Sequence, residues 1–254
     1  MEFNFQNKNV LVSGASRGIG RVTAQLFSQA GAHVIVHYNR NSNAAMETME
    51  QLAGSGHHMV QADLADPAAI QQMVDTVAAQ MGHLDVLVNN AGIFEEHPIR
   101  SISYDEWQTA WQETISVNLI GPANLTFCAV RQMRNQGGGR IVNVSSRGAF
   151  RGEPEAPAYG ASKAGLNAMG QSLAKTLAPY NIFVHTVAPG FVETDMAEEV
   201  LNSPAGDEVR NQSPLGRVAQ PEEVARTVLF LASEGSEFLT GAIVDVNGAS
   251  YLRT

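Results

Sequence analysis

The chain has little that would tie it to an oxidising compartment or to a membrane. Cys128 is its only cysteine, so no disulfide can form within the chain, and we expect a cytoplasmic protein. The longest stretch without Asp, Glu, Lys or Arg is 22–39, and the Gln, Gly and His residues in it argue against a membrane span. The N-terminus has no basic start followed by an apolar core, so no secretory signal is expected.

Basic residues and metal-ligand patterns are also scarce. Lys and Arg number 16 against 25 Asp and Glu, which gives a net charge of −9, and no basic block is present. We therefore expect neither nucleic acid nor an anionic membrane as the main partner. The seven His show no HExxH motif and no clustered Cys/His spacing, so no metal site is predicted. At 44% hydrophobic, the 254 residues can bury a sizeable core.

What the chain does contain is a regular alternation of short apolar runs and longer amphipathic stretches. The short runs are mostly β-branched, as in strands covered on both faces, and lie at 10–12, 34–36, 59–60, 86–88, 141–144, 183–187 and 243–246. Helices are predicted at 19–30, about 43–53, 67–81, 104–112 running on to 114–135, 160–178 and 221–233.

This alternation predicts an α/β protein. We expect a single doubly wound Rossmann-type domain over 1–254, with a seven-stranded, mostly parallel sheet and helices on both faces. The weakly patterned stretch 191–217 is interpreted as a substrate lid, with a plain surface excursion as the alternative.

A glycine-rich turn follows the first predicted strand and opens a helix. Residues 13–20 read S-G-A-S-R-G-I-G, so the three glycines are spaced G-x-x-x-G-x-G. Such glycines permit a tight turn and let backbone N–H groups approach a pyrophosphate at the helix N-terminus. Asp63-Leu64 and Asn89-Asn90-Ala91-Gly92 end the third and fourth strands and border the same crevice. Ordinary turns contain the same residue types. Because these three turns border one crevice, a dinucleotide site is favoured.

Tyr159 and Lys163 are four residues apart at the start of a predicted helix and therefore share a face. With five Tyr and three Lys in 254 residues, only about 0.06 such pairs are expected by chance. An ammonium group beside a phenol favours the phenolate, so we expect Lys163 to lower the pKa of Tyr159 toward the working pH. Such a Tyr can donate a proton to a carbonyl oxygen or withdraw one from an alcohol. Ser145 and Ser146 end the fifth strand, and either hydroxyl could bond that oxygen; a surface Tyr–Lys pair is the alternative.

Together these motifs resemble the short-chain dehydrogenase/reductase family over essentially the whole chain. The matching signatures are G-A-S-R-G-I-G at 14–20, N-N-A-G at 89–92, Y-G-A-S-K at 159–163 and P-G at 189–190. The family's Ser-to-Tyr spacing selects Ser146, since 159 − 146 = 13, and Asn118 in I-S-V-N-L matches the family's helix Asn.

The resemblance implies hydride transfer between a nicotinamide cofactor and a carbonyl or alcohol. It makes Tyr159 the general acid/base and lets Ser146 orient the substrate oxygen. It further implies that Lys163 binds the nicotinamide ribose and lowers the pKa of Tyr159. Asn118 would hold a water in the proton relay.

The same resemblance implies a set of cofactor-binding residues around the crevice. They are Gly14, Ser16, Arg17, Gly18, Ile19, Gly20, Tyr38, Asn39, Arg40, Asp63, Leu64, Asn90, Ala91, Gly92, Tyr159, Lys163, Pro189, Gly190, Val192 and Thr194. The chain departs from the family pattern at Ser13, where Thr is usual, in a longer stretch 104–118, and at 246–249, which replaces an acidic-Gly-Gly ending. None of the three touches the Asn-Ser-Tyr-Lys tetrad.

The residues after the second strand predict NADP(H) rather than NAD(H). Cofactors without a 2′-phosphate are usually held by an Asp or Glu at the end of this strand. Here Tyr38 stands about where that acidic residue would be, and no carboxylate appears before Glu47. Arg17 in the turn and Arg40 after the strand are placed to attract the phosphate, with a solvated Arg40 as the alternative.

The sequence indicates the type of reaction more closely than it indicates the substrate. Within the family the chain looks most like bacterial 3-oxoacyl-[acyl-carrier-protein] reductases, on the runs 189–196 and 239–241, which implies an acyl-thioester substrate. The net charge of −9 and Glu95-Glu96 oppose an acidic carrier protein. Arg131, Arg134 and Arg140 could form a patch that steers it, with solvated helix arginines as the favoured alternative.

Two other functions stay open at this point. One is a reductase or dehydrogenase of a small ketone, sugar or secondary alcohol. The other is a cofactor-sensing protein without turnover, which the intact tetrad opposes. The resemblance also implies a homotetramer built on the helices near 114–135 and 160–178 and the C-terminal strand. Phe127 and Met133 fit such an interface and fit the core equally well.

Overall fold

The sheet forms the centre of the computed structural model, which describes residues 3–253 without the side chains of Met196 and Glu199. Its seven strands are Asn9–Val12 (β1), His33–Tyr38 (β2), His58–Gln61 (β3), Val86–Asn89 (β4), Gly139–Val144 (β5), Ile182–Pro189 (β6) and Ile243–Val246 (β7). They pair in the order β3-β2-β1-β4-β5-β6-β7, and every pair is parallel. The predicted doubly wound fold is confirmed, and the sheet is parallel throughout.

Ten α-helices connect and flank these strands in the part of the chain that the structure describes. They are Gly18–Gln29 (α1), Ser42–Glu50 (α2), Pro67–Met81 (α3), Tyr104–Ile115 (α4), Gly121–Gln136 (α5), Gly148–Arg151 (α6), Pro157–Leu177 (α7), Asp195–Leu201 (α8), Gly206–Asn211 (α9) and Pro221–Ala232 (α10). None of the helices in residues 3–253 is long and apolar enough to cross a membrane.

Local signals fix most helix starts. The Asp66 side chain accepts from the N–H groups of Ala68 and Ala69, and Pro67 occupies the first turn of α3, as predicted. α2 ends at Glu50 rather than near 53, because the N–H of Ala53 bonds to the Ser28 hydroxyl at 2.9 Å instead of continuing the helix.

The predicted continuation from 104 to 135 is interrupted. A π-helical turn, Ser116–Ile120, separates α4 from α5. Such turns widen a helix locally and occur frequently at functional sites. Asn118 lies in this turn.

The two faces of the sheet are covered by separate apolar layers. Val10, Val12 and Val36 pack toward α1 and α10, whereas Leu11 and Leu87 pack toward α3 and α5. Burying each such side chain contributes about 1.5–3 kcal/mol. This double cover holds the carboxyl ends of the strands in register.

The stretch 191–217 contains α8 and α9. Ala197, Leu201, Val209 and Val218 form a small apolar cluster of their own there. The sequence pattern is weak here because α8 and α9 are short and contribute only a few apolar side chains to this small cluster. Its action as a lid stays a prediction.

Candidate active site

The site lies where the order of the strands reverses, between β1 and β4. In parallel α/β sheets, ligands bind outside the carboxyl ends of the strands at such a point. The glycine turn follows β1 here, and Asn90, Ala91 and Gly92 follow β4. The structure thus brings together the two predicted halves of the dinucleotide site.

The glycine turn has no room for side chains. Gly14 and Gly18 have φ of 64° and 54°, which only glycine adopts readily. A Cβ on Gly20 would lie 2.3 Å from the Gly14 carbonyl oxygen and 2.5 Å from Asn90 Nδ2. No side chain caps α1, whose N-terminal turn opens at this point. The cradle therefore fits a pyrophosphate bound by backbone N–H groups.

Ser13 and Asn90 hold the turn against the end of β4. The Ser13 hydroxyl accepts from the N–H groups of Asn90 at 2.9 Å and Ala91 at 3.0 Å and donates to the Val88 carbonyl. Asn90 Nδ2 in turn donates to the carbonyls of Ser13 and Gly14. Because all three contacts of Ser13 use its hydroxyl, the Ser found in place of Thr keeps this function.

His37 is a part of the site that the sequence reasoning missed. It is buried, its Nδ1 accepts from the Gly14 N–H at 3.0 Å, and its Nε2 donates to the Ala62 carbonyl at 3.1 Å. Burial lowers the pKa of His37 to about 4, so the ring is neutral at pH 7. The residue therefore links the glycine turn to the end of β3.

Tyr38 does not face the crevice in the way its strand-end position suggested. Its side chain is 9% exposed and packs in the core cluster with Val36 and Ala45. The two-residue period of a strand explains this, since Tyr38 must share the face of Val36 and leave His37 on the other. Asn39 and Arg40, just beyond the strand, are exposed.

The remaining cofactor candidates lie around the same crevice. Asp63 accepts from the Ala65 N–H at 2.9 Å, and Leu64 is buried. On the far side, Thr194 Cγ2 would be 3.3 Å from a Cβ on Gly18. Pro189 ends β6, so the segment from Pro189 to Thr194 runs from the sheet to the glycine turn.

Lys163 is a buried residue of α7. Its Nζ donates to the Val144 carbonyl at 2.9 Å and lies 5.7 Å from the centroid of the Tyr159 ring. Burial lowers the pKa of Lys163 to about 8. A Cβ on Gly92 would be 3.3 Å from this Nζ, which shows how closely the end of β4 approaches the ammonium group.

The two adjacent serines separate into different positions. Ser145 donates to the Lys163 carbonyl at 3.3 Å, whereas the Ser146 hydroxyl lies beside the phenol of Tyr159 and lowers its pKa. Ser146 also accepts from the Gly148 N–H at 3.0 Å. Only Ser146 is therefore in contact with the group that would move a proton.

The pKa of Tyr159 is raised to about 12, opposite to the predicted direction. Burial is the largest cause, and the Glu153 carboxylate adds to it, whereas the Ser146 hydrogen bond lowers the pKa. Lys163 is not among the groups that shift the pKa of Tyr159, and its ammonium group donates to the Val144 carbonyl instead of to the phenol. In the protein alone, Tyr159 is a phenol that holds its proton at neutral pH.

Asn118 fixes the chain directly after Gly92. Its Oδ1 accepts from the Ile93 N–H at 2.8 Å, and its Nδ2 donates to the Ile93 carbonyl at 2.9 Å and to Ser162 Oγ at 3.3 Å. A Cβ on Gly92 would be 3.3 Å from Asn118 Oδ1, the same distance as from Lys163 Nζ. All four tetrad residues therefore converge on one end of the crevice.

Further residues near Tyr159 were not predicted. The Phe94 ring packs edge-on against the Tyr159 ring at 5.1 Å. The buried His97 donates from Nδ1 to the Glu95 carbonyl at 2.8 Å and accepts at Nε2 from the Ala158 N–H at 3.1 Å. His97 thus satisfies an N–H in the first turn of α7, one residue before Tyr159, through a contact that spacing does not reveal.

Comparison with known proteins agrees with this geometry. A family model described as "Enoyl-(Acyl carrier protein) reductase" matches residues 14–249. The chain belongs to the short-chain dehydrogenase/reductase family, whose members are oxidoreductases acting on C=O and CH–OH groups.

In the described residues no three His, Cys, Asp or Glu side chains come together as a metal site would require.

Within this class the chain is similar to particular reductases along nearly its whole length. It is 39% identical over 253 residues to the 3-oxoacyl-[acyl-carrier-protein] reductase FabG of Aquifex aeolicus, covering 99% of this chain and 100% of that protein. It is 40% identical over 245 residues to the reductase of the same name from Thermotoga maritima, covering 96% and 97%. The predicted resemblance to these reductases is confirmed, and the protein is an oxidoreductase of this family.

Solved structures share the fold under different names. A short-chain dehydrogenase/reductase from Brucella melitensis, named glucose/ribitol dehydrogenase, has a TM-score of 0.90 at 32% identity and 100% coverage of both chains. A Brucella melitensis protein named ribose-5-phosphate isomerase has a TM-score of 0.88 at 31% identity, covering 98% of this chain and 93% of that one. The names differ while the fold is shared, so the fold alone does not fix the substrate.

Proposed function

We propose that the protein is an NADP(H)-dependent reductase of 3-oxoacyl thioesters, which interconverts a carbonyl and a secondary alcohol. The observation that carries the proposal is the convergence of Ser146, Tyr159 and Lys163 on the crevice that begins at the glycine turn. A bound nicotinamide supplies the hydride. The chain's own residues supply the proton and hold the reacting groups.

Tyr159 is the proton donor of the reduction and the base of the reverse reaction. Its raised pKa keeps the phenol protonated at neutral pH, which suits donation to a carbonyl oxygen. The Ser146 hydroxyl, which lies beside this phenol, orients the substrate oxygen. Lys163 would bind the nicotinamide ribose, and Asn118 would hold a water in the proton relay.

The cofactor would be held by the predicted residues of the crevice. Gly14, Gly18 and Gly20 cradle the pyrophosphate, Asp63 and Leu64 border the adenine end, and Pro189 to Thr194 border the nicotinamide end. The lack of room for a Cβ on Gly14 or Gly20 and the uncapped helix α1 support this arrangement.

The choice of NADP(H) rests on the groups beside the end of β2. Arg17 and Arg40 are both exposed there, and Glu47 is engaged by Arg21 at 3.2 Å. A bidentate Arg–phosphate contact contributes about 1.5–3 kcal/mol, which is about ten- to a hundredfold in affinity. Titration of both reduced cofactors tests this choice, and tighter binding of NADH than of NADPH would refute it.

A small ketone, sugar or secondary alcohol is the second candidate substrate. The loop before α7 carries the Arg151–Glu153 ion pair, at 3.2 Å, and Glu153 influences the pKa of Tyr159. This charged group beside the phenol suits a polar substrate more than an acyl chain.

The basic patch that could steer a carrier protein is smaller than predicted, because Arg140 pairs with Glu237. Arg131 and Arg134 remain as its exposed members.

A substrate panel with NADPH distinguishes these functions. The panel contains a 3-oxoacyl thioester on carrier protein, the same group on a short thiol, and small ketones and ketoses. Oxidation of NADPH with the thioesters alone supports the first function, and oxidation with the small ketones alone supports the second. If the protein binds the cofactor but turns over no member of the panel, the function supported is that of a cofactor-sensing protein.

We also propose a homotetramer in the cytoplasm, with 191–217 acting as a substrate lid. Phe127 is 66% exposed and Ile120 is 48% exposed on the same face of the helix, whereas Met133 is fully buried and belongs to the core. Two exposed apolar side chains on one face support a helix–helix interface. Light scattering tests the assembly, and a monomer would refute it.

A further inference from the structure

Arg147 is a buried cation that the proposed reaction does not use. Its side chain is 3% exposed, although it directly follows Ser146 at the end of β5. Its guanidinium donates to Gln212 Oε1 and Ser250 Oγ and lies 5.0 Å from the centroid of the Phe191 ring. All of these partners are neutral.

The charge of Arg147 is not balanced by a carboxylate. It makes no salt bridge with any Asp or Glu whose side chain the structure describes. Glu153, which influences its pKa, pairs with Arg151 at 3.2 Å. A buried ion is retained at low cost only when it is paired, so this guanidinium lacks a counter-charge.

A cavity adjoins this guanidinium. It has a volume of about 140 Å³ and lies between the end of β5, the stretch 191–217 and the segment after β7. Its polar lining includes Arg147, Ser213, Asn247 and Ser250. None of the tetrad residues or predicted cofactor contacts lines it. The volume is about ten times what a single water requires, so it accommodates a small oxyanion.

The other charged residues that line the cavity are already neutralised. Arg217 pairs with Glu223 at 2.7 Å, and Asp245 pairs with Arg253 at 2.7 Å. Because Arg253, which lies outside the lining, neutralises Asp245, the charge of Arg147 remains as the one unpaired charge at the cavity. This balance favours a monoanion over a cation or a neutral ligand.

We propose that this cavity binds a small oxyanion, a carboxylate or a phosphate, through the guanidinium of Arg147 and the hydroxyls beside it. A bound oxyanion would accept from the guanidinium and connect the stretch 191–217 to the segment after β7. The site is separate from the reductase chemistry and does not depend on the proposed substrate.

Thermal unfolding in acetate or phosphate, at constant ionic strength with chloride as reference, tests the proposal. At ten times the dissociation constant, the melting temperature should rise by about 3–5 °C in a saturable way. Acetate and phosphate distinguish the carboxylate from the phosphate class, and a rise with either supports the site. No rise beyond chloride with either anion would overturn it.

Three variants locate the effect. Arg147→Gln should abolish the rise, whereas Arg100→Gln, which removes an exposed, ion-paired arginine outside the cavity, should retain it. Leu215→Trp should also abolish it by filling the cavity from its exposed rim, and so serves if Arg147→Gln does not fold. A rise that persists in either cavity variant would assign the anion to another place, such as the glycine turn, and overturn the proposal.

Discussion

The neighbouring serines offer a matched pair of substitutions. Ser146 lies beside the Tyr159 phenol and lowers its pKa, whereas Ser145, one residue earlier, donates to the Lys163 carbonyl at 3.3 Å. Ser146→Ala removes the one hydrogen bond that lowers the pKa of Tyr159. Ser145→Ala removes a hydroxyl of the same size that does not contact the phenol.

The size of the effect follows from the hydrogen bond. A bond to a charged acceptor contributes about 1.5–3 kcal/mol, which corresponds to about 1–2 pKa units at 1.36 kcal/mol per unit. The pKa of Tyr159 is already about 12, so the phenolate fraction falls a further ten- to hundredfold in Ser146→Ala at any pH below that value. Lost orientation of the substrate oxygen would reduce the rate further.

The assay is the pH dependence of kcat/KM for alcohol oxidation between pH 6 and 10. The wild type should rise with pH across this range, because the base form of Tyr159 increases toward its pKa of about 12. Ser146→Ala should run parallel and at least tenfold lower, and Ser145→Ala should stay close to the wild type. Equal losses in the two variants, or no loss in Ser146→Ala, would refute the assignment of Ser146.

Three further predictions concern single residues. Tyr159→Phe should lose about 10²–10⁴-fold in turnover while cofactor binding is nearly retained, and unchanged turnover in steady-state assays would contradict its role. Lys163→Ala should weaken both turnover and cofactor binding, so a loss of turnover alone, measured beside a cofactor titration, would exclude the ribose contact. The third prediction concerns His37, whose pKa falls from 6.5 to about 4 on folding, so the unfolded chain binds more protons between these values. Neutral His37 contributes to the free energy of unfolding above pH 6.5, and this contribution should fall by about 3 kcal/mol as the pH drops to 4. Denaturant titrations of the wild type and of His37→Gln measure this. The same fall in both proteins would contradict the prediction.

The sequence predicted those features that depend on neighbours along the chain. The strand pattern, Pro67 at its helix start, the glycine turn and the four-residue spacing of Tyr159 and Lys163 are all local. The roles assigned to these site residues stay predictions. What sequence spacing revealed was their shared position at the crevice.

The features that the sequence did not reveal depend on contacts between distant segments. The bond between His37 and the Gly14 N–H exists because β2 pairs with β1 in one particular register. Burial of Arg147 depends on Gln212 and Ser250, which lie 65 and 103 residues further along the chain. The raised pKa of Tyr159 likewise depends on burial, which the spacing to Lys163 does not report.

The position of β1 in the sheet has a consequence during synthesis. β1 pairs with β2 on one side and with β4 on the other, where Val10 lies opposite Val86. At about 5–20 residues per second, the ribosome needs about 4–15 s to add the 76 residues that follow Val10 up to its partner, that is, residues 11–86. Throughout this interval the side of Val10-Leu11-Val12 that later pairs with β4 has no partner strand, and an open edge of this kind pairs readily with other chains. The nascent chain should therefore depend on chaperone cover until β4 has emerged.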